Sequence, residues 1–356
     1  MGAAGFPLVQ FRGKPLDSHR QWLELATALR ESQAQGGWPF ICINDRADLA
    51  VLAVHEGLKP WGLHLGQGDL PPATAKGLPG LGDLHLGSST HHPLEWASPD
   101  PACDHAGIGP FRATASKGDH AEPIGLEGLA RACPALQACG VAPVAIGGLT
   151  RADFRDCFGA GAQALAMVGE VARAADPGEL LWEAQVQRWQ VNRPLARGRG
   201  LVLIGGSGAG KSSLALCLAR RLALPALDSD TRVAATAARS IPQIFQEGGE
   251  AHFRSLERAA ILACLQVPAV VSLGAGAWED ASTRDAVQAA GFQTLWLAEV
   301  PERAWTRVAG DPQRPLAGSR EDFMARWAQR SGAWSRSPMV LPLGRTAEVL
   351  ATALVP

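Results

Sequence analysis

Two groups of residues in this 356-residue chain have the types and spacing that phosphate chemistry needs. The run Gly205-Gly-Ser-Gly-Ala-Gly-Lys211-Ser212 fits G-x-x-x-x-G-K-[ST]. Its glycines, Gly205, Gly208 and Gly210 among them, let backbone N–H groups turn inward around an anion. Lys211 would neutralise the β- and γ-phosphates of a nucleotide, and the Ser212 hydroxyl would reach Mg²⁺, with Ser213 next along the same turn. The second group lies upstream. Asp45 and Asp69 follow different β-like runs, and two carboxylates on separate loops suit Mg²⁺, which takes oxygen ligands and bridges phosphates. Arg12, Lys14 and Lys117 add positive charge for a pyrophosphate leaving group. The pair Gly147-Gly148 would cup a phosphate with backbone N–H groups.

The elements that must position these residues can be read from periodicity. The glycine-rich loop follows the apolar run Leu201–Ile204 and precedes the helical run SLALCLARRL, which is the strand–turn–helix context the loop requires. The pattern continues through strand-like runs at 267–273 and 294–297. Up to about residue 175 a different cycle repeats: a short apolar run, a polar or glycine-rich turn, then a helical stretch. Strands are expected at 6–11, 38–43, 61–65, 83–87, 105–109, 142–146 and 163–168. Strands alternating with helices and buried on both faces imply a parallel sheet. The polar residues follow the strands, where a (β/α)₈ barrel keeps its active site. Seven strands are counted where eight close a barrel. The expected fold is α/β: an N-terminal (β/α) TIM-type barrel lacking its first βα unit, fused to a C-terminal P-loop three-layer domain. Residues 1–178 form the barrel, 179–198 a linker helix ending in an Asn-Arg-Pro break, and 199–356 the P-loop domain.

Composition narrows the function classes. Lys+Arg (33) and Asp+Glu (34) cancel to a formal charge of −1, so bulk electrostatics makes no case for nucleic acid or a membrane surface. Tyrosine is absent, which removes phenol chemistry. The seven cysteines are odd in number and contain no C-x-x-C pair, which argues against a disulfide framework or zinc site and for a reducing compartment. The opening MGAAGFPLVQ has no basic region followed by an apolar core, and no apolar run approaches the roughly 18 residues of a membrane span. A cytoplasmic protein with small-molecule partners is expected; self-association is left open.

Downstream of the phosphate loop come Asp228-Ser-Asp230, Ser240-Ile-Pro-Gln-Ile-Phe245, Gly249-Glu250-Ala-His-Phe253-Arg254, Gly274-Ala275-Gly276, Arg314-Pro-Leu316, and Arg330 four residues before Trp334. In this order, the segment from about 200 to 345 resembles shikimate kinase. The resemblance implies MgATP-dependent phosphorylation of shikimate to shikimate 3-phosphate. Asp230 would take the acceptor proton and Asp228 would sit toward Mg²⁺. Arg254 and Arg330 would hold the substrate carboxylate, as guanidinium does best. Gly274 and Gly276 would allow close backbone approach, and Arg314 resembles the lid arginine that closes over ATP. Two stretches depart from the family: its three-glycine strand end reads Gly-Ala275-Gly, and its R-x-P-L-Y reads Arg330-Ser-Gly-Ala-Trp334. They leave open another polyol or sugar acid as acceptor. Taken singly, Arg254 and Glu257 could be a helix-surface pair and Asp228 a helix N-cap.

The first half carries Gln10-Phe-Arg12-Gly-Lys14, Asn44-Asp45, His64-Leu-Gly-Gln-Gly-Asp69, Ser89-Thr-His91, Thr114-Ala-Ser-Lys117 and Gly147-Gly148. From about residue 8 to 170 this ordered set resembles thiamine-phosphate synthase, the family that joins a pyrimidine diphosphate to a thiazole phosphate with Mg²⁺ assisting pyrophosphate departure. The resemblance implies that Gln10, Arg12, Lys14, Asn44, Asp45, Asp69, Ser89, Thr114 and Lys117 hold the pyrimidine diphosphate and that Gly147 faces the thiazole phosphate. The related thiazole tautomerases share the fold but generally lack the full pyrophosphate set. The family has a further strand and helix before its Q-x-R-x-K segment, which accounts for the count of seven. The expected whole is a bifunctional fusion. The alternative is an active kinase joined to a barrel that only binds ligand.

Overall fold

A computed structural model describes residues 8–14, 16–37, 39–113, 122–192, 199–311, 318–337, 339–342 and 345–355. The chain divides into two compact units, one mainly of Phe6–Ala34 with Pro39–Asn192 and one mainly of Arg193–Pro356, to which Gln35–Trp38 also belongs.

In the first unit seven parallel strands follow one another: β1 (Leu8–Phe11), β2 (Phe40–Asn44), β3 (Gly62–Leu65), β4 (His85–Thr90), β5 (His105–Ile108), β6 (Ala142–Ile146) and β7 (Ala164–Ala166). Their order in the sheet is their order in the chain. With right-handed crossovers, such an order puts every helix on one face and winds the sheet in one direction, as a barrel requires. The helices are α1 (Ser18–Ala34), α2 (Ala47–His55), α3 (Pro72–Lys76), α4 (Pro93–Ala97), α5 (Gly125–Ala138), α6 (Phe154–Gly159), α7 (Gly169–Arg173) and α8 (Pro177–Asn192). All seven strands expected from periodicity are present. Among the described residues β1 and β7 are the edges, and no ladder joins them.

The two faces of this sheet differ because side chains alternate. Ile41, Ile43, Leu63, Leu65 and Leu86 pack with Leu25, Ala26 and Leu29 of α1 and with Leu49, Ala50 and Ala53 of α2. Ala106, Ile108 and Ala145 join Leu129, Ala132 and Leu136 of α5. Each fully buried leucine or isoleucine contributes about 1.5–3 kcal/mol. The intervening positions, which share the opposite face, are Asn44, His64, Gly87 and His105, then Ser89 and Gly107. One face is hydrocarbon; on β3 to β5 the other is polar or small. At the end of the unit, Leu180 and Ala184 of α8 pack on Phe154 and Phe158 of α6. The stretch expected as a linker helix thus begins at Pro177 and groups with the first unit.

The second unit holds β8 (Leu201–Ile204), β9 (Ala226–Asp228), β10 (Val270–Ser272), β11 (Gln293–Ala298) and β12 (Met339–Pro342), parallel in the order β12-β11-β8-β10-β9. Its helices are α9 (Lys211–Leu222), α10 (Ser229–Ala237), α11 (Ile241–Cys264), α12 (Ala281–Ala289), α13 (Pro301–Val308), α14 (Arg320–Trp334) and α15 (Ala347–Leu354). All four residues of β8 are buried, as expected of a central strand. From β8 the chain departs to one side and later crosses to the other. That reversal opens a crevice at the carboxyl end of β8, where open α/β sheets bind ligands. Strand β12 was not anticipated: it ends in Pro342, which only an edge strand tolerates. Among the described residues no helix is long and apolar enough to cross a membrane.

Candidate active sites

The phosphate loop connects β8 to α9. Gly205, Gly208 and Gly210 all take positive φ (137°, 82° and 88°), which side-chain-bearing residues rarely adopt. Lys211 is buried and donates to the carbonyls of Gly205 and Gly206, each at 2.9 Å. The Ser212 hydroxyl donates to Asp228 Oδ2 at 2.7 Å, with Ser272 Oγ at 3.4 Å. The other oxygen of Asp228 accepts from the N–H groups of Asp230 (3.0 Å) and Thr231 (3.2 Å). Asp228 is therefore both the N-cap of α10 and the partner of Ser212; the two readings of this residue are not exclusive. Ser213 is exposed on the first turn of α9.

Two acidic side chains, Glu257 and Asp230, meet at Gly274. A Cβ added there would overlap Glu257 Oε1 and lie 2.7 Å from Asp230 Oδ1. Glycine is needed here for space, since Gly274 has no positive φ. Arg254 donates from Nη1 to Glu257 Oε2 at 2.6 Å and from Nη2 to Glu250 Oε1 at 2.9 Å. Its guanidinium also borders Gly276, where a Cβ would stand 2.5 Å from Nη2. The helix-surface reading of the Arg254–Glu257 pair is corrected: the Glu257 side chain is only 3% exposed. Burial pushes the Glu257 carboxyl up and Asp230 adds to the rise, against the attraction of Arg254 and Arg330. Arg330 Nε donates to Glu279 Oε2 at 2.9 Å, and Trp334 Nε1 donates to the carbonyl of Ala275 at 3.3 Å. Ala275 is not in the left-handed region, so its methyl meets no backbone objection. Arg314 lies outside the described residues.

The first unit gathers its polar residues at the carboxyl ends of β1 to β4. Gln10 Nε2 donates to Asn44 Oδ1 at 2.6 Å. Asp45 takes φ 65°, an unusual conformation for a residue with a side chain, and pairs with Lys14 Nζ at 2.7 Å. Asp69 Oδ2 accepts from the Gly66 N–H at 2.7 Å. Burial opposes charge on Asp45, yet the Lys14 ammonium, a hydrogen bond from Asp69 and nearby Arg12 hold its carboxyl below the usual range. Burial and the Asp45 charge push Asp69 the other way, against the Gly66 N–H and Lys14. The two carboxyls shift in opposite directions because each lies in the other's field. Among the described residues no three His, Cys, Asp or Glu side chains gather for a metal, so Mg²⁺ here would take its remaining ligands from phosphate and water.

Ser89 Oγ lies 3.1 Å from His64 Nε2, and Gln67 Nε2 donates to the Ser89 carbonyl at 2.5 Å. Gly147 takes φ 94°, and a Cβ there would meet Pro110 at 2.8 Å, so the glycine lets the 109–113 loop close on β6. Arg112 on that loop grips the buried Asp153 with both terminal nitrogens. Thr114 and Lys117 lie outside the described residues. Sequence reasoning missed Glu257 and Glu279 as site residues, along with the Arg112–Asp153 clamp. An acid three residues after Arg254, on the same helix face, was the available signal for the first. The other two depend on contacts between segments far apart in the chain.

Fold and sites together define a two-part protein of phosphate chemistry: a singly wound barrel-type unit with a paired-carboxylate site, and a P-loop kinase unit. A family model described as thiamine monophosphate synthase matches residues 2–171, and one described as shikimate kinase matches residues 207–340. A thiamine-phosphate synthase of Chloroflexus aurantiacus is 42% identical over 174 residues, 48% of this chain and 74% of that protein. A shikimate kinase of Mesorhizobium japonicum is 37% identical over 122 residues, 34% of this chain and 60% of that protein. A solved shikimate kinase from Acinetobacter baumannii, in complex with shikimate, has a TM-score of 0.41 at 25% identity, covering 43% of this chain and 88% of its own. The chain belongs to the thiamine-phosphate synthase family through its first half, and its second half is similar to shikimate kinases over residues 207–340.

Proposed function

We propose that the protein is bifunctional: its second unit transfers the γ-phosphoryl group of ATP to shikimate, and its first joins a pyrimidine diphosphate to a thiazole phosphate with loss of pyrophosphate. What supports this reading is that the carboxyl ends of both sheets carry a phosphate-handling set already held in place by its own hydrogen bonds. Mg²⁺, when bound, neutralises charge on the transferring or departing phosphate oxygens. Ser212 and Asp228 would hold it in the kinase unit, and Asp45 and Asp69 in the barrel unit.

In the kinase unit Lys211 exchanges its two carbonyl partners for the nucleotide's phosphate oxygens. Asp230 accepts the proton of the attacking hydroxyl. Arg254 and Arg330 exchange carboxylate for carboxylate, leaving Glu250 and Glu279 for the substrate's acid group. Glu257, paired with Arg254, holds that guanidinium beside Asp230. In the barrel unit Arg12 and Lys14 take up the charge of the departing pyrophosphate, and Gln10 and Asn44 orient the pyrimidine. The turn at Gly147 receives the thiazole phosphate.

The first test is ADP release from MgATP by the full-length protein, with and without shikimate. Shikimate-dependent release is expected; ATP binding without such release would move the kinase to another acceptor. Formation of thiamine phosphate from the two phosphorylated halves tests the barrel. A second reading, a barrel that binds the pyrimidine diphosphate without condensing it, is favoured by the edges β1 and β7, which no ladder joins among the described residues. Retained binding with no product would select it.

A further inference from the structure

The inner face of the first sheet carries imidazoles where barrel interiors are usually filled by branched aliphatic side chains. His64, Gly87 and His105 stand in register on β3, β4 and β5. Gly87 has no side chain, and a Cβ there would overlap the His105 ring. Through that gap the two imidazoles stack, 5.3 Å between centroids, with His64 Nδ1 3.2 Å from His105 Nε2. On its other side His64 Nε2 reaches Ser89 Oγ. A continuous line of hydrogen bonds therefore runs from a buried ring to the strand end where Ser89 stands.

The direction of this line follows from its buried end. Burial, with His64 and His85 nearby, pushes the His105 pKa down to about 3, so the ring is neutral and carries one proton. Its Nδ1 is buried and makes no hydrogen bond among the described residues. If His64 donated from Nδ1 to His105 Nε2, the His105 proton would be stranded on Nδ1 as a buried N–H without an acceptor. Buried N–H groups go without an acceptor less often than buried acceptors go without a donor. If His105 donates from Nε2 to His64 Nδ1, only a bare lone pair is left at Nδ1. The His64 proton then sits on Nε2 and points at Ser89 Oγ.

We propose that His105 is a positioning residue: it locks His64 as the Nε2–H tautomer, so that Ser89 accepts from His64 and offers its own hydroxyl hydrogen to an acceptor atom of the diphosphate substrate. The identity of that ligand rests on the synthase reading above. With the opposite tautomer, Ser89 would donate its proton to His64 Nε2 and have none for the ligand. A hydroxyl that donates to an anionic oxygen makes a charge-assisted bond, stronger than a neutral one. His105 thereby governs a ligand contact from two hydrogen bonds away.

The test uses the full chain with ¹⁵N-labelled histidine, the His64 signals being assigned by their loss in His64→Gln. His64 is expected to be protonated on Nε2 in the wild type, to lose that bias in His105→Phe, and to regain it in His105→Gln, whose amide N–H can donate from nearly the same place. Steady-state kinetics give the second arm. In His105→Phe the KM for the pyrimidine diphosphate should rise about tenfold with kcat changed less, and in His105→Gln it should return to within about threefold. Shikimate-dependent ADP release should be unaltered in both. A wild-type His64 protonated on Nδ1 would overturn the proposal, as would a wild-type KM in His105→Phe. If the wild type makes no thiamine phosphate while His64 shows the expected tautomer, the tautomer assignment stands and the synthase reading falls.

Discussion

The two units handle phosphate from opposite parts of their sheets. The kinase site is built on β8, a fully buried strand with a neighbour on each side. Much of the barrel site leans on β1, an edge strand whose residues alternate between exposed and half-buried. Gln10, Arg12 and Lys14, which would carry the pyrophosphate, all stand at that edge and are exposed. The kinase unit secures its charges by burial: Lys211 lies against loop carbonyls and Glu257 beneath Arg254. The barrel unit secures them by mutual pairing, Lys14 with Asp45 and Asp45 with Asp69. A buried charge with one partner loses much when that partner is cut away. Solvent compensates an exposed one, so the same loss is smaller there.

The largest expected effect tests the kinase half of this contrast. Lys211→Met removes the only ammonium placed among the loop carbonyls described above, and phosphoryl transfer depends almost wholly on such charge placement. Shikimate-dependent ADP release should fall by about 10³-fold or more, with thiamine phosphate formation unchanged. Turnover near the wild-type level would remove Lys211 from the site. Asp45→Asn comes next, at about 10²-fold in the condensation. Its pH behaviour sharpens the comparison. Asp69 titrates above the usual carboxylate range, so as pH falls through that range a proton competes with Mg²⁺ for the pair. The Mg²⁺ concentration for half-maximal rate should therefore rise toward acid pH in the wild type. Without the Asp45 charge the Asp69 carboxyl comes down, and the rise should begin at lower pH. An unshifted profile would mean the pair does not act jointly.

How much of this was legible beforehand depends on how locally each feature is encoded. The phosphate loop is contiguous, and its glycines, lysine and serine stand in the structure where the motif places them. The seven strands of the first unit were legible because each is a short apolar run followed by a polar or glycine-rich turn and a helical stretch. Strand β12 was not, because four residues ending in proline carry no period. The roles of Glu257 and Glu279 were hidden for another reason. Helix spacing puts Glu257 beside Arg254 but does not say whether the pair faces water or Asp230. Glu279 meets Arg330 only across a sequence separation of 51 residues. The His64–Gly87–His105 line is likewise invisible in one dimension, because it is made by register across three strands.

A moderate effect is expected at Gly274. The methyl of Gly274→Ala falls on Glu257 Oε1, whose other oxygen is held by Arg254, so the carboxylate has little freedom to withdraw. Overpacking of this kind costs about 1–3 kcal/mol. Thermal unfolding of the second unit should move down while the first unit's transition stays in place. The KM for shikimate should rise about tenfold, since Asp230 borders the same space. The equivalent insult in the first unit is Arg112→Leu, which strands the buried Asp153 with only its Thr150 partners. Loss of one partner of a buried acid costs about 1–3 kcal/mol, so the two substitutions should melt different units by similar amounts. Equal shifts of both transitions by either one would show that the units do not melt independently.

The smallest effect is expected one residue further on, at the position where the chain departs from the family's three glycines. Ala275→Gly restores the family residue, and a requirement for left-handed backbone there would make the restored enzyme markedly better. The structure puts no such requirement on Ala275: its φ is not positive, and its carbonyl already accepts from Trp334 Nε1. The methyl is therefore accommodated, and removing it chiefly frees the unfolded chain, at about 0.4–1 kcal/mol of stability. A slightly lower melting temperature for the second unit should accompany a kcat/KM for shikimate within about twofold of wild type. A tenfold change in preference between shikimate and another polyol would show that the methyl reads the acceptor. The contrast between the units would then need revising, because a half-buried loop residue would be setting specificity in the half whose site is otherwise fixed by burial.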